Sequence, residues 1–302
     1  MYVRDMSIQS MRNMMEKTSS QENSYIFDTE SAVEMARLID QARFMNREIG
    51  GALTGLPELA AGTHVLDLGC GPGGWVLDVA FDRPDITVTG IDISEIMIAY
   101  ARARTRTQKL SNTIFDVMDI TKPLDFPDNS FDMVNARLLT GALKREAWSG
   151  LIAECTRILR PGGFLCLFEG NEIGVSMSPA YEELSGYILQ ATWRVGYGFS
   201  PHGRNWAMSA ALPYLLRQAG YRDIHLNSYI TDYSAQTPAW IDYYRNNEKI
   251  FLQFKPVLLA FNLITSEAFD QLYQRALIEM NSSEFTCVAQ AIRAWGYVSK
   301  TA

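Results

Sequence analysis

Glycines and a carboxylate lie close together between residues 65 and 74, which read Val-Leu-Asp-Leu-Gly-Cys-Gly-Pro-Gly-Gly. Glycine lets the backbone turn tightly and lets a ligand approach the chain where a Cβ atom would block it. A helix that begins near Gly74 presents backbone N–H groups that have no partner within the helix. The stretch therefore predicts a loop that binds a nucleotide-like ligand.

Two ligands compete for this loop. Gly69, Gly71 and Gly74 fit the G-x-G-x-x-G pattern of dinucleotide sites, in which a pyrophosphate lies at a helix N-terminus. Gly69, Gly71 and Gly73, preceded by Asp67, also fit D-x-G-x-G-x-G. A carboxylate this close to the loop does not help a pyrophosphate, but it accepts from an ammonium group. S-adenosylmethionine carries both a sulfonium and an α-ammonium, so the carboxylate favours that ligand.

Two more carboxylates follow later strands. Asp92 lies 23 residues beyond Gly69, where an acidic side chain accepts from both ribose hydroxyls. Both competing ligands contain a ribose, so Asp92 does not separate them. Asp119 ends the third apolar run, where a carboxylate accepts from the exocyclic amine of an adenine.

Alternating strands and helices must position these residues. Near-continuous apolar runs predict buried parallel strands, and helical stretches lie between them. We therefore predict an α/β fold with a doubly wound sheet and helices on both faces. The predicted strands are 64–68, 86–91, 114–118, 131–134, 164–168, 222–229 and 286–298. The predicted helices are 29–45, 94–106, 148–159, 181–195 and 209–219, with two helical stripes in 237–282.

As a set, the motifs of residues 63–170 resemble class I S-adenosylmethionine-dependent methyltransferases of the small-molecule branch. The resemblance rests on residues 65–74, 90–92, 116–119, 126–132 and 159–164, and Ala294-Trp-Gly296 resembles that family's seventh strand. It implies a Rossmann-like sheet of seven strands, the last antiparallel. It also implies cofactor-binding roles for Asp67, Gly69, Gly71, Gly73, Asp92, Ile93, Met118, Asp119, Asn135 and Ala136.

The domain organisation departs from the family after the sixth strand. Residues 1–50 are predicted to be an N-terminal arm and a cap helix, and residues 51–170 the cofactor-binding core. Residues 171–302 complete the sheet and carry two insertions, at about 171–208 and 237–282. The family usually has a short turn where 237–282 lies, so we predict a helical lid over the substrate.

Three residues are candidates for the reacting end of the site. Tyr25 precedes the first helix and is expected to fold over the cofactor, or to be a hydrophobic anchor. Glu169 follows the fifth strand, so it faces the pocket, or else it is a helix cap or a surface carboxylate. His202 is a candidate general base, or a loop imidazole bonded to backbone. Arg137 pairs with a carboxylate of cofactor or substrate, or remains a solvated charge.

Composition excludes several classes of protein. The chain has 302 residues, a net charge of −7 and 47% hydrophobic residues, which is typical of a soluble globular protein. An acidic chain is a poor partner for nucleic acid, and the basic run from Arg102 to Lys109 is expected to be a helix end. Four cysteines and three histidines, widely spaced, predict no metal site. With neither a signal segment nor a membrane span apparent, we expect a cytoplasmic protein.

The sequence thus predicts an enzyme that transfers a methyl group from S-adenosylmethionine to a small, largely apolar metabolite, in secondary metabolism. The acceptor atom, O, N or C, is left open, as is a homo-oligomeric assembly. One alternative is a non-catalytic protein that binds an adenosyl ligand. Another is an NAD-linked oxidoreductase, which Asp67, Asp119 and the Pro-Gly-Gly before the fifth strand disfavour.

Overall fold

The computed structural model describes residues 25–28 and 30–300. The predicted N-terminal arm, residues 1–24, lies outside the described residues. Helices in the described part of the chain are α1 (Ala32–Glu48), α2 (Gly74–Asp82), α3 (Glu95–Gln108), α4 (Trp148–Ile158), α5 (Pro179–Val195), α6 (Met208–Gln218), α7 (Trp240–Ala260) and α8 (Ser266–Met280). The strands are β1 (His64–Leu68), β2 (Thr87–Asp92), β3 (Thr113–Val117), β4 (Phe131–Arg137), β5 (Leu159–Gly170), β6 (Val175–Ser176), β7 (Arg222–Asp232) and β8 (Cys287–Tyr297).

The strands form one mixed sheet in the order β3-β2-β1-β4-β5-β8-β7. Strands β1 to β5 are parallel, and β8 runs antiparallel to both β5 and β7. This confirms the predicted doubly wound sheet with an antiparallel last strand. The two-residue β6, which also pairs with β8, is an addition that the apolar pattern did not indicate.

The strand order reverses beside β1, whose two neighbours are β2 and β4. In a doubly wound sheet the ligand binds at this switch point, outside the carboxyl ends of the strands. The register fixes which side chains meet there. Asp67 of β1 lies opposite Asn135 of β4, and Arg137 at the end of β4 lies opposite Phe168 of β5.

The start of β5 differs from the prediction. Its first residue is Leu159, which pairs with Phe131, so the strand begins before Pro-Gly-Gly 161–163 rather than after it. A register irregularity between Phe131 and Met133 absorbs the difference. Gly163 is needed at this point because a Cβ atom there would lie 2.8 Å from the carbonyl oxygen of Asp132.

The two predicted insertions form a helical layer with its own apolar core. Helix α5 belongs to the first insertion, and α7 and α8 fill the second, between β7 and β8. Their aromatic stripes are buried against one another, with Tyr181, Phe251 and Phe269 all less than 2% exposed. This core is separate from the two that cover the faces of the sheet. It therefore places a second wall opposite the strand ends.

None of the helices among residues 25–28 and 30–300 combines the length and apolarity that a bilayer crossing requires.

Candidate active site

A cavity of about 360 Å³ lies at the carboxyl ends of β1, β2, β4 and β5. One side is formed by the glycine-rich loop and the residues after each strand. The other side is formed by α1, the chain before it, and α7 of the second insertion. Its volume falls within the range of about 300–1,000 Å³ that small-molecule sites occupy.

The glycine-rich loop forms the cavity floor with Gly69, Gly71 and Gly74. Gly69 and Gly71 have φ angles of +62° and +53°, which side chains other than glycine rarely adopt. Gly73 was predicted to bind cofactor, but it does not line the cavity. It is the N-cap residue that precedes α2, and a Cβ atom there would lie 2.9 Å from Ala101 and 2.9 Å from Phe115. Its role in the structure is therefore close packing of α2 against α3 and β3.

Asp92 ties the loop to β2. Its Oδ2 accepts from the backbone N–H of Gly71 at 2.8 Å, and its Oδ1 accepts from the N–H of Ser94 at 2.9 Å. Burial raises the pKa of this carboxyl, while the two backbone donors lower it. Each carboxylate oxygen retains a second lone pair for a ligand hydroxyl. Ile93, next in the chain and also predicted to bind cofactor, lines the cavity too.

Asp119 and Met118 line the cavity after β3. Asp119 Oδ1 accepts from the backbone N–H of Thr121 at 2.9 Å and from its hydroxyl at 2.7 Å. Its Oδ2 is buried and has no hydrogen-bond partner among the described residues, although Lys122 Nζ lies 3.6 Å away. A buried acceptor of this kind is costly to leave unpaired, so a ligand N–H group would satisfy it.

Asp67 lines the cavity, but Asn135 and Ala136 of β4, which were also predicted to bind cofactor, do not. Asn135 is 2% exposed and donates from Nδ2 to Asp67 Oδ1 at 2.7 Å, so it orients the carboxylate from below. Ala136 packs in the core on the other face of the sheet. Burial raises the pKa of Asp67 to about 6, while the nearby Arg137 charge and the Asn135 bond lower it.

Beyond Ala136 the chain turns into the cavity. Arg137 and the turn of Leu138, Leu139 and Thr140 line it instead of the two residues predicted from β4. The Arg137 guanidinium donates from Nη1 to Asn46 Oδ1 at 2.7 Å. Burial lowers its pKa from the usual arginine value, and the Asp67 charge opposes that effect. Arg137 is thus a partly buried cation that lines the site, and not the fully solvated charge of the competing interpretation.

Glu169 lies in the cavity wall at the end of β5, 1% exposed. Its Oε1 accepts from the backbone N–H of Leu139 at 2.6 Å, and its Oε2 accepts from the hydroxyl of Thr140 at 2.6 Å. Burial raises its pKa to about 7, although all these donors favour the charged form. Glu169 therefore holds the turn after β4 in place from the cavity wall. Its bonds to backbone N–H groups resemble those of a helix cap, which was one of the alternatives.

Tyr25 reaches the cavity in a network that sequence reasoning missed. Its hydroxyl donates to Glu34 Oε1 at 2.6 Å, and burial raises its pKa well above the usual range. Arg37 binds the Glu34 carboxylate from Nε and Nη2 and donates from Nη1 to Asn246 Oδ1 at 3.1 Å. The network joins α1 to α7 in the lid. The i, i+3 spacing of Glu34 and Arg37 was its one signal in the sequence, but spacing does not reveal burial.

His202 is not brought to the site. The structure places it in an exposed turn before α6, and it is not among the residues that line the cavity. Its candidacy as a general base therefore has no support in the geometry. The competing interpretation was a loop imidazole bonded to backbone, and its loop position agrees with this placement.

The side of the cavity opposite the glycines is apolar and aromatic. Tyr233 and Tyr243 stack with ring centroids 4.1 Å apart, and Phe27 meets Phe254 edge to face at 5.1 Å. Other residues of this wall are Ile26, Leu38, Phe44, Met45, Trp206 and Ile250. Asn247 is one of the polar residues on this side. Its Nδ2 donates to the Tyr243 carbonyl, and its Oδ1 has no partner among the described residues.

These residues fit S-adenosylmethionine. The floor at Gly69 and Gly71 carries no Cβ atoms, Asp92 has lone pairs for hydroxyls, and Asp119 Oδ2 is an unpaired buried acceptor. Asp67 offers a carboxylate for the α-ammonium group. The buried Asp119 oxygen, which has no hydrogen-bond partner among the described residues, is the observation that favours an adenine amine over a phosphate, because two anions repel.

Comparison with known proteins agrees with this geometry. Residues 65–163 match the family model of a methyltransferase domain. This match agrees with the predicted resemblance over these residues.

The curated relatives match part of this chain rather than the whole of it. A methyltransferase of Schizosaccharomyces pombe, itself uncharacterized, is 30% identical over 49% of this chain and 55% of its own length. The demethylmenaquinone methyltransferase of Symbiobacterium thermophilum is 38% identical over 35% of this chain and 42% of its own length. The chain thus spans about half the length of these curated relatives.

Solved structures support the fold. An N-methyltransferase of Haemonchus contortus, in complex with phosphomonomethylethanolamine and S-adenosylhomocysteine, has a TM-score of 0.51 at 19% identity. The match covers 96% of this chain and 60% of that one. The YcgJ protein of Bacillus subtilis also has a TM-score of 0.51 at 19% identity, over 86% of this chain and 98% of that one.

Proposed function

We propose that this chain, whose residues 65–163 form a methyltransferase domain, transfers the methyl group of S-adenosylmethionine to a small, largely apolar metabolite. One observation carries the proposal. The same cavity is lined on one side by the glycines and carboxylates suited to the cofactor, and on the other by the aromatic wall of the insertions. Methyl donor and apolar acceptor would then meet at the strand ends.

Each side of the cavity has its own task. The floor and Asp92 would hold the ribose part of the cofactor, Asp119 the adenine, and Asp67 the ammonium group. When bound, the cofactor supplies an electrophilic methyl group on a sulfonium. The residues of this chain need only orient an acceptor and exclude water, and the aromatic wall of α1 and α7 is suited to both.

The geometry does not require a dedicated base. The Tyr25 phenol stays protonated because burial raises its pKa, and Glu169 is bound by three donors of the β4 turn. We therefore assign Glu169 a positioning role, and propose an acceptor that is reactive without proton removal or that loses its proton to solvent. We also propose a role in secondary metabolism, because an apolar acceptor is typical of it.

Two further parts of the prediction remain proposals. We propose a cytoplasmic protein, for which the four buried cysteines, none of them in a disulfide, are the support. We also propose that the partner is a small molecule and not a nucleic acid, because the cavity wall is apolar and the net charge is −7.

The first experiment is calorimetric titration of the protein with S-adenosylmethionine, S-adenosylhomocysteine, NAD and NADPH. Binding of the first two alone is expected. Binding of a nicotinamide cofactor alone would overturn the proposal. Transfer of a labelled methyl group to a panel of apolar phenols, amines and prenyl compounds then tests the activity.

A variant on the acceptor side makes this test specific. Ala289 lines the cavity from β8, away from the residues assigned to cofactor. Ala289→Phe is expected to abolish methyl transfer while the affinity for S-adenosylhomocysteine stays within about twofold, since no cofactor residue changes. A non-catalytic binding protein would instead show cofactor affinity and no methyl transfer to any acceptor, even in the unmodified chain.

A further inference from the structure

We propose that Arg137 binds the α-carboxylate of the cofactor, so that Asp67 and Arg137 together recognise the zwitterionic end of the ligand. This inference rests on the proposed function, and it assigns a ligand-binding role to a residue of β4 that the cofactor motifs do not include. It is argued from the charges that face the cavity, their positions on neighbouring strands, and the contacts of the guanidinium.

The charged side chains that line the cavity are unevenly paired. Five are acidic and two are basic, namely Asp67, Asp92, Asp119, Glu169, Glu172, Arg37 and Arg137. Arg37 is neutralised by Glu34, which it binds with two nitrogens. Among the described residues no carboxylate oxygen lies within 4.0 Å of the Arg137 guanidinium. Arg137 is therefore the basic group in this cavity whose charge is still available to a ligand.

The position of Arg137 suits an amino acid. Asp67 of β1 lies opposite Asn135 of β4, and Arg137 is two residues further toward the carboxyl end of β4. Residues two apart on a strand point to the same face of the sheet, about 6.6 Å apart. An anionic and a cationic side chain thus stand side by side at the switch point. An α-amino acid carries its ammonium and carboxylate on one carbon, and so presents the complementary pair of charges.

Neighbouring groups hold the guanidinium without neutralising it. Asn46 Oδ1 accepts from Arg137 Nη1 at 2.7 Å, and Asn46 in turn donates from Nδ2 to Asp78 Oδ2 at 2.6 Å. The Trp75 ring lies 5.9 Å from the Arg137 Cζ atom. Burial in this setting lowers the pKa of Arg137, because it destabilises the charged form of the guanidinium. A bound anion would stabilise that charged form. The planar guanidinium has five donors and binds a carboxylate with two of them.

The test compares three ligands that share the adenosine and sulfur. These are S-adenosylhomocysteine, its decarboxylated analogue S-adenosyl-3-thiopropylamine, and 5′-methylthioadenosine, which lacks the amino acid. Calorimetry on the unmodified chain is expected to show that S-adenosylhomocysteine binds about 10- to 100-fold more tightly than the decarboxylated analogue, the range for a lost hydrogen bond to a charge. Equal affinity for the two would overturn the inference before any variant is made.

Arg137→Met then assigns the effect to this residue. The affinity of this variant for S-adenosylhomocysteine is expected to fall by about the same 10- to 100-fold, while its affinity for the other two ligands stays unchanged. Arg137→Lys is expected to retain part of the affinity that Arg137→Met loses. Arg43→Met, which removes an exposed arginine of α1, is the matched control. If Arg137→Met does not fold, Arg137→Gln, which retains a donor for Asn46, takes its place.

Three outcomes contradict the inference and differ from failure of the proposed function. Equal weakening of all three ligands means a structural role for Arg137. Unchanged binding of S-adenosylhomocysteine by the folded variant means that Arg137 does not contact the carboxylate of the cofactor. If the variant loses affinity only for an acidic acceptor, Arg137 binds an anionic group of the substrate instead. Failure of the unmodified chain to bind S-adenosylhomocysteine at all contradicts the proposed function itself.

Discussion

Glu169 at the end of β5 binds Thr140 of the β4 turn through one oxygen, Oε2, which accepts the backbone N–H at 3.2 Å and the side-chain hydroxyl at 2.6 Å. The other oxygen accepts from Leu139 N–H at 2.6 Å. A single carboxylate thus fixes the chain where β4 enters the cavity. It connects the substrate side of the site to the strand that carries Arg137.

Glu169→Gln is expected to destabilise the fold by about 1–3 kcal/mol, because the amide nitrogen must face a backbone N–H donor and one buried group is left unpaired. Chemical denaturation measures the change. Thr140→Val, which removes the hydroxyl donor and leaves both backbone bonds, is expected to cost less. A normal stability combined with complete loss of methyl transfer in Glu169→Gln would instead identify Glu169 as a catalytic base.

The pKa of Glu169 also predicts how stability depends on pH. Burial raises the pKa in the folded protein to about 7, above the usual 4.5. The folded state therefore binds more protons than the unfolded state between these values, and the free energy of unfolding falls as pH rises through this window. Asp67, with a pKa of about 6, acts in the same direction. Denaturation at pH 5, 6, 7 and 8 is expected to show that the free energy of unfolding declines less steeply with pH in Glu169→Gln than in the unmodified chain.

Two glycines of the same loop are expected to respond differently to alanine. Gly73→Ala adds a Cβ atom 2.9 Å from Ala101 and Phe115, so it should lower the melting temperature markedly. At Gly71 the added Cβ atom has 3.7 Å to Leu38, and the residue lines the cavity. Gly71→Ala should therefore weaken S-adenosylhomocysteine binding more than it lowers stability. A larger stability loss at Gly71 than at Gly73 would contradict this division.

Asp92→Ala is expected to weaken S-adenosylhomocysteine binding by about 1–3 kcal/mol, the scale for lost hydrogen bonds to a charged group. The variant removes a ligand acceptor and also leaves the Gly71 and Ser94 N–H groups without their partner. Calorimetric titration measures the change. Asp116→Ala is the control, because Asp116 lies exposed on β3 and pairs with Arg102 at 3.0 Å. Unchanged affinity in Asp92→Ala would remove Asp92 from the site.

Arg37→Met is expected to destabilise the fold by about 3–5 kcal/mol, because it leaves the Glu34 charge buried and uncompensated. The double variant with Glu34→Gln should recover a large part of that loss, since no buried charge then remains. Thermal and chemical denaturation of both variants provide the comparison. If the double variant is no more stable than Arg37→Met, the ion pair matters through its bonds to Tyr25 and Asn246 and not through its charge.

Local patterns predicted the sheet and the cofactor side of the site because both depend on short spacings. The apolar runs placed β1 to β4 within a few residues, and the carboxylates at or near the carboxyl ends of β1, β2 and β3 all line the cavity. Gly73 shows the limit of this approach. The motif groups it with Gly69 and Gly71, but whether a glycine faces a ligand or a neighbouring helix depends on how α2 packs.

The substrate side could not be predicted in the same way. Arg37 and Asn246 are more than 200 positions apart, and their contact depends on how α7 folds back over α1. His202 looked suitable because histidine titrates near neutral pH, but its turn faces solvent. Such contacts depend on the packing of two insertions, which apolar periodicity does not determine.

The separate apolar core of α5, α7 and α8 has a consequence for the history of such a chain. Because these helices pack largely against one another, we expect substitutions within that layer to disturb the parallel strands less than substitutions in the cores of the sheet. We therefore expect acceptor preference to diverge between descendants of one ancestral gene more readily than the donor side. An exchange of residues 240–280 for a new acceptor would have to keep their contacts with α1, such as that of Asn246 with Arg37.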